Sequence, residues 1–181
     1  MRSTSLPETL DFRPSIRQTM VITRKSLETD GQISRVEIDL EGGQGGPPAH
    51  IHPGQREIYT VDAGELVVTI DGESHVISGG ESIEVATGSA HTFANQSDKL
   101  VRFSAEHLPA LQIEEYMRLV HRTVEGKKLT LPVILRVVCI ESSYGDTIVA
   151  PPGMARTVGK IMAGVGRLVG YPTGEELAAS L

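Results

Sequence analysis

Two histidines and a glutamate lie close together near the middle of the chain. His50 and His52 are two residues apart, so on an extended strand both imidazoles project from the same face. Glu57 follows after a Pro-Gly pair, which can turn the chain back and bring the carboxylate beside the imidazoles. Two imidazoles and a carboxylate within one hairpin would form a compact N₂O donor set for a divalent transition metal. His91 is the candidate for a fourth donor.

The remaining histidines and the single cysteine fit no donor pattern. We interpret His75, His107 and His121 as surface residues or hydrogen-bonded polar residues. Cys139 lies in an apolar run and is expected to be an inert buried thiol. One cysteine excludes both an intramolecular disulfide and a site made of several thiolates.

The donors lie in a stretch that is predicted to form short β-strands. Apolar residues occupy every second position in 36–40 and again in 66–70. Asp71-Gly72 follows directly and is a strong signal for a type I′ hairpin, in which both central residues need positive φ. Several short strands separated by turn residues indicate an antiparallel sandwich or barrel.

The two ends of the chain differ in character from this middle stretch. Apolar residues recur at three- and four-residue steps in 111–124 and 154–169, which predicts two amphipathic helices. The apolar run 133–140 between them is interpreted as a third helix. The predicted organisation therefore has three parts, namely an N-terminal arm or short edge strand over 1–15, a barrel over 16–108 and a helical extension over 109–181.

The spacing of the donors resembles the two sequence motifs of the cupin superfamily. The first motif is matched by His50-x-His52-x4-Glu57-x6-Gly64, and the second by Gly80-x5-Ala86-x-Gly88-x2-His91-x3-Asn95. The resemblance covers about Gly43 to Phe103. Two turn positions depart from the family pattern, because Ala86 stands where proline is usual and Gln44 where the first motif usually opens with glycine.

The resemblance implies a fold and a cofactor. The fold would be mainly β, an antiparallel double-stranded β-helix (the cupin or jelly-roll barrel) with a C-terminal α-helical extension. One divalent transition metal ion (Fe, Mn, Ni, Cu or Zn) per chain would be held by His50, His52, Glu57 and His91 in the barrel mouth. The ligand types by themselves do not select among these metals. Because cupin barrels commonly pair edge to edge, a homodimer is also expected.

Residues that share strand parity with these ligands are expected to line a pocket. Tyr59 and Val61 share the parity of Glu57, Phe93 lies beside His91, and Phe103 would close the far wall. The Tyr59 hydroxyl could hydrogen-bond a metal-bound ligand, and Glu57 could ligate the metal or act as a base. Both are therefore candidate catalytic residues. An apolar pocket of this kind suits a small organic molecule better than a densely hydroxylated sugar.

Composition limits the partners of the chain. The 181 residues carry a formal net charge of −6, only 4% are aromatic and none is tryptophan, which argues against nucleic-acid binding. The N-terminal residues lack the apolar core of a secretory signal, so a cytoplasmic location is expected. Arg156, Lys160 and Arg167 form a basic stripe on the last long helix, which could contact an anionic membrane surface. Packing of this helix on the barrel or on a partner subunit is the favoured interpretation.

Three functions agree with these features. The first is a metal-dependent oxidoreductase that resembles small cupin dioxygenases acting on flavonols and other enols. The second is a metal-dependent isomerase, lyase or cyclase without a redox step. The third is a cupin that binds a small molecule without turnover. An epimerase resembling the sugar-nucleotide branch of the superfamily is disfavoured, because those proteins work without metal.

Overall fold

The structure is a computed structural model that describes residues 7–180, apart from the side chains of 154 and 155. Residues 1–6 of the predicted N-terminal arm lie outside the described residues.

Within residues 7–180, ten strands form two antiparallel sheets. Their bounds are Glu8–Asp11 (β1), Gln18–Arg24 (β2), Ser34–Leu40 (β3), His50–Ile51 (β4), Arg56–Ala63 (β5), Glu65–Ile70 (β6), Glu73–Ser78 (β7), Ser82–Val85 (β8), Ala90–Ala94 (β9) and Val101–Leu108 (β10). One sheet has the order β1-β2-β3-β10-β5-β8, and the other has the order β4-β9-β6-β7. Side chains from both sheets belong to one apolar core. The predicted antiparallel barrel is confirmed.

The local sequence patterns explain why these strands form. Every second residue of β3 is buried, as the period-two pattern predicts. The hairpin between β6 and β7 turns at Asp71 and Gly72, whose φ angles are 51° and 91°. These positive values confirm the predicted type I′ signal. β1, which comes from the segment predicted as an arm or short edge strand, pairs with β2 at the edge of the larger sheet.

The extension is helical, and its first helix packs on the barrel. The helices of the chain are Arg13–Ile16 (α1), Ile113–Val124 (α2), Leu131–Glu141 (α3), Met154–Leu168 (α4) and Gly174–Ala178 (α5), with a 3₁₀ turn at Ser26–Thr29. Ile113 and Met117 of α2 are buried in the barrel core. Arg118 of α2 forms an ion pair with Glu8 of β1 at 2.9 Å. No helix within residues 7–180 is long and apolar enough to cross a membrane.

The apolar face of α4 does not pack on the barrel within the single chain, so the predicted packing on the barrel or on a partner subunit stays open only for the partner subunit. Ile161 and Leu168 are 62% and 88% exposed. The helix instead packs on α3 through its small residues, because a Cβ at Gly166 would lie only 2.3 Å from the Cys139 sulfur. Such close approach requires glycine. Cys139 is fully buried at this contact, as predicted.

Candidate metal centre

The two sheets bring the four predicted donors together. His50 on β4 lies directly opposite His91 on β9, while Glu57 reaches them from β5 of the larger sheet. β4 and β5 therefore belong to different sheets, and the expected single hairpin is wrong. The Pro-Gly segment is the corner at which the chain crosses from one sheet to the other. One ligand atom from each of the four residues lies within 4.8 Å of the others, and all four side chains are buried.

Backbone carbonyl oxygens fix the tautomer of each predicted histidine ligand. The Nδ1 atoms of His50, His52 and His91 lie 3.0, 2.6 and 3.1 Å from the carbonyl oxygens of Pro48, Thr147 and Ser89. Because a carbonyl can only accept a hydrogen bond, each Nδ1 carries the hydrogen. Each neutral ring therefore presents the lone pair of Nε2. Metal-binding histidines are oriented in this way by their second ring nitrogen.

The lone pairs that meet at the centre require a cation. His91 Nε2 lies 2.8 Å from Glu57 Oε2, which already accepts a hydrogen bond from the Tyr59 hydroxyl at 2.8 Å. Two acceptors at this distance repel each other unless a proton or a metal ion lies between them. His52 Nε2 is also buried and has no hydrogen-bond partner in the described part of the chain. One proton cannot satisfy both rings, so the donor set fits a metal ion better.

The protonation states of His50, Glu57 and Tyr59 also suit a metal ion. Burial lowers the pKa of His50 to about 3. Burial acts to raise the pKa of the Glu57 carboxyl, but His107 and the other facing histidines hold it well below its usual range. Burial and the adjacent Glu57 carboxylate raise the pKa of Tyr59 well above its usual value. At neutral pH, His50 thus offers a lone pair, Glu57 is anionic and Tyr59 is a hydrogen-bond donor.

His107 also borders this site, where it is a buried polar residue paired with Glu57 rather than a surface residue. It lies opposite Glu57 in the β5–β10 pair, and its Nε2 is 3.2 Å from Glu57 Oε1. The other oxygen of the carboxylate, Oε2, faces His91 and Tyr59. Strand parity carries the signal, because His107 follows Phe103 by four residues on the same face of β10. His75 is exposed, and His121 bonds the carbonyl oxygen of Asp11 through Nε2.

The helical extension helps to build the centre. Residue 147 supplies the carbonyl that orients His52. The neighbouring Val149 exchanges two backbone hydrogen bonds with Ile51, at 2.8 and 2.9 Å. The Gly54 N–H donates to the Asp146 carbonyl oxygen at 3.1 Å. The segment 146–149, which lies between α3 and α4, therefore holds the loop that carries His52.

Three of the four donors, His50, His52 and Glu57, border a cavity of about 130 Å³. The inner face of the larger sheet forms one wall, and α2 forms another through Tyr116, Met117 and Val120. Tyr59 and Phe93 border this cavity, as the sequence predicts. The walls are mainly apolar, so a bound molecule would lose contact with water there.

Two predicted pocket residues lie behind the wall instead. Val61 and Phe103 are fully buried in the core and do not border the cavity. The Phe103 ring packs against Phe93 with centroids 5.1 Å apart, and against Tyr59 at 6.1 Å. Phe103 therefore supports the two aromatic rings that do reach the cavity. Strand parity identifies the inner face, but it does not distinguish a pocket lining from a filled core.

Two antiparallel sheets that enclose a cluster of histidines and one carboxylate define the class of protein, a small β-barrel of the cupin type. The comparison with protein families agrees, because residues 36–106 match the Cupin_2 family, described as a cupin domain. Residues 36–106 thus form a cupin domain, and the predicted superfamily and fold class are confirmed.

The known proteins match part of this chain rather than the whole of it. The HTH-type transcriptional regulator PuuR of Escherichia coli (strain K12) is 40% identical over 58 residues, which are 32% of this chain and 31% of the regulator. The chain therefore spans about a third of the length of this relative. A predicted oxalate decarboxylase from Thermotoga maritima has 21% identity and a TM-score of 0.50, covering 57% of this chain and 91% of that one. The Cupin_2 domain of an XRE family transcriptional regulator from Enterobacter cloacae has 23% identity and a TM-score of 0.44, covering 50% and 95%.

The geometry predicts about one equivalent of transition metal per chain, since four buried donors that converge on one point bind a metal ion tightly. We expect elemental analysis of protein prepared without chelator or nickel affinity resin to find this metal. His50→Ala and His91→Ala each remove a converging lone pair and should lose it. His75→Ala, at an exposed histidine, is the control and should retain it. A wild-type protein that is empty and refuses added metal would contradict the assignment.

Gly54→Ala should weaken metal binding without touching a ligand. A Cβ at Gly54 would lie 2.8 Å from Leu111 Cδ1 and 2.9 Å from the Asp146 carbonyl oxygen, so the segment 146–149 must move. His52 would then lose its orienting carbonyl, and we expect metal affinity to fall about tenfold. Competition with a chromogenic chelator measures this change. Gly145→Ala, whose Cβ meets nothing within 4 Å, should retain wild-type affinity. Equal affinity in both variants would refute a role for the segment.

Proposed function

We propose that the chain is a metal-dependent oxidoreductase of the dioxygenase type that acts on a small enolic or aromatic compound. The observation that carries this proposal is that three residues of the four-donor cluster border a mainly apolar cavity of about 130 Å³. An engineered cavity of about 150 Å³ in another protein binds benzene, so the space suits a single ring or a short chain. A three-ring flavonol would require α2 to move.

Three histidines and one glutamate would hold one divalent ion, which would polarise a bound substrate oxygen and, if redox-active, activate dioxygen. The protein's own groups would position and deprotonate the substrate. Glu57 is anionic and can accept a proton at Oε1, where His107 Nε2 can stabilise either form of the carboxyl. The Tyr59 hydroxyl donates its single hydrogen to Oε2 and lies in the cavity wall, where the same hydrogen could be donated to a substrate oxygen instead. The apolar residues of α2 would exclude water from the reacting group.

A redox-silent reaction is supported by the same pair of proton-transfer groups. Glu57 and Tyr59 can move a proton within a substrate without any electron transfer. The site could then serve an isomerase, lyase or cyclase, with the metal as a Lewis acid.

A binding function without turnover is supported by the likeness to a transcriptional regulator, of which this chain covers 31%. The cavity would then sense a metabolite, and α2 in its wall could transmit occupancy to a partner.

The expected partners also remain proposals. A homodimer is supported by the exposed apolar residues of α4, which would be buried against a second subunit. The same face, with its basic stripe, would suit contact with an anionic membrane surface, which we consider the weaker proposal. The expected location is the cytoplasm.

Reconstitution with different metals separates the three functions. Metal-free protein is loaded in turn with iron, manganese, nickel, copper and zinc, and oxygen uptake is recorded with a panel of single-ring enolic and aromatic compounds. We expect uptake with a redox-active metal, none with zinc, and none in His50→Ala. Turnover with zinc in the absence of oxygen would favour the redox-silent reaction. Saturable binding without turnover under every condition would favour the binding function.

Tyr59→Phe tests the assigned role of the hydroxyl. Its removal leaves Glu57 Oε2 with one donor fewer and removes a donor from the cavity wall. We expect kcat to fall about tenfold while metal content stays at the wild-type level. Tyr171→Phe, outside the cavity, is the matched control and should leave kcat unchanged. Loss of metal in Tyr59→Phe would instead assign the hydroxyl to the metal site, and an unchanged kcat would remove it from the reaction.

A further inference from the structure

A buried glutamine borders the same cavity without any partner for its side-chain oxygen. Gln18 lies on the inner face of β2 and is 1% exposed. Its Oε1 has no hydrogen-bond partner anywhere in residues 7–180. Phe12, Ile16 and Met20, its neighbours along the chain on the cavity wall, are apolar. Within residues 7–180 the Gln18 Oε1 atom therefore has nothing to bond except what enters the cavity.

Such a group requires an explanation, because buried polar atoms in folded proteins are almost always paired. An apolar side chain at this position would fill the core without the free-energy cost of a buried polar atom that lacks a hydrogen bond. Gln18 is paired with Leu40 of β3, and Leu40 is paired with Val101 of β10. In this layer of paired residues, Gln18 is therefore polar whereas Leu40 and Val101 are apolar. A ligand that carries its own polar group would satisfy the amide and restore the pairing.

Strand register places Gln18 and the metal donors at opposite ends of the cavity. Glu57 lies opposite His107 on β10, whereas the layer of Gln18 contains Val101 of the same strand. Six residues along a strand correspond to about 20 Å of strand length. The cavity that both ends border is narrow, since its volume is about 130 Å³.

We propose that Gln18 determines specificity by binding the polar end of the substrate, while the metal centre binds its other end. The substrate class is then a slender and mainly apolar molecule with metal-coordinating oxygen at one end and a hydroxyl or similar group at the other. A primary amide both donates and accepts, so it can pair fully with a hydroxyl. This inference rests on the proposed function, because it needs the metal to fix the first end.

Matched metal-binding probes test the inference. Linear alkanohydroxamic acids, from the butano to the decano compound, are titrated calorimetrically into metal-loaded protein, each with and without a terminal hydroxyl. At one chain length we expect the wild type to bind the hydroxylated probe about tenfold more tightly. Gln18→Met, which is close in size, should lose this preference and bind the plain chain at least as tightly. Thr19→Val, at the adjacent position of β2 that does not border the cavity, should keep the preference.

The outcomes distinguish this inference from the function on which it rests. Wild-type protein that binds plain and hydroxylated probes equally at every length would overturn the role of Gln18 and leave the metal centre intact. A preference that survives in Gln18→Met would do the same. Failure of the metal-loaded wild type to bind any hydroxamate would overturn both. The comparison of plain and hydroxylated probes on the wild type needs no variant. The proposal can therefore be refuted even if Gln18→Met does not fold.

Discussion

Three hydrogen bonds from imidazole Nδ1 atoms to backbone carbonyls organise the centre of this barrel. They fix the tautomers of His50, His52 and His91 and direct three Nε2 lone pairs toward one carboxylate. Lone pairs that converge in a buried space repel one another, so the folded chain holds an arrangement that a cation would stabilise. The carbonyls of Pro48 and Ser89 are local to their histidines, whereas the third comes from residue 147. The centre therefore depends on the extension as well as on the barrel.

The extension performs two tasks at this site. The segment 146–149 pairs with Ile51 and orients His52, and α2 forms a wall of the cavity. A barrel that ended at residue 108 would lack both. The same part of the chain therefore orients a metal ligand and encloses the cavity. α2 and the residues just before the segment are packed together, because the Tyr116 ring contacts the Tyr144 ring edge to face.

The two ends of the cavity differ from its middle in the residues that the strands place there. Charged and metal-binding groups gather where Glu57 meets His107, apolar side chains occupy the middle, and the amide of Gln18 lies at the far end. A polar side chain that points into the barrel needs a hydrogen-bond partner or a bound ion there. At one end the histidines and the carboxylate satisfy each other together with a cation, and at the other end a ligand must do so.

The sequence alone determined the features that depend on short separations. Parity placed His50 and His52 on one face, the Asp71-Gly72 pair set a hairpin, and the three- and four-residue steps predicted the helices. Only the tertiary structure decided which residues from distant segments meet: His107 beside Glu57, a carbonyl of the extension on His52, and Gln18 within the cavity. The register of paired strands sets the first and third contacts. The second uses a backbone oxygen, which every residue carries, so no side-chain pattern announces it.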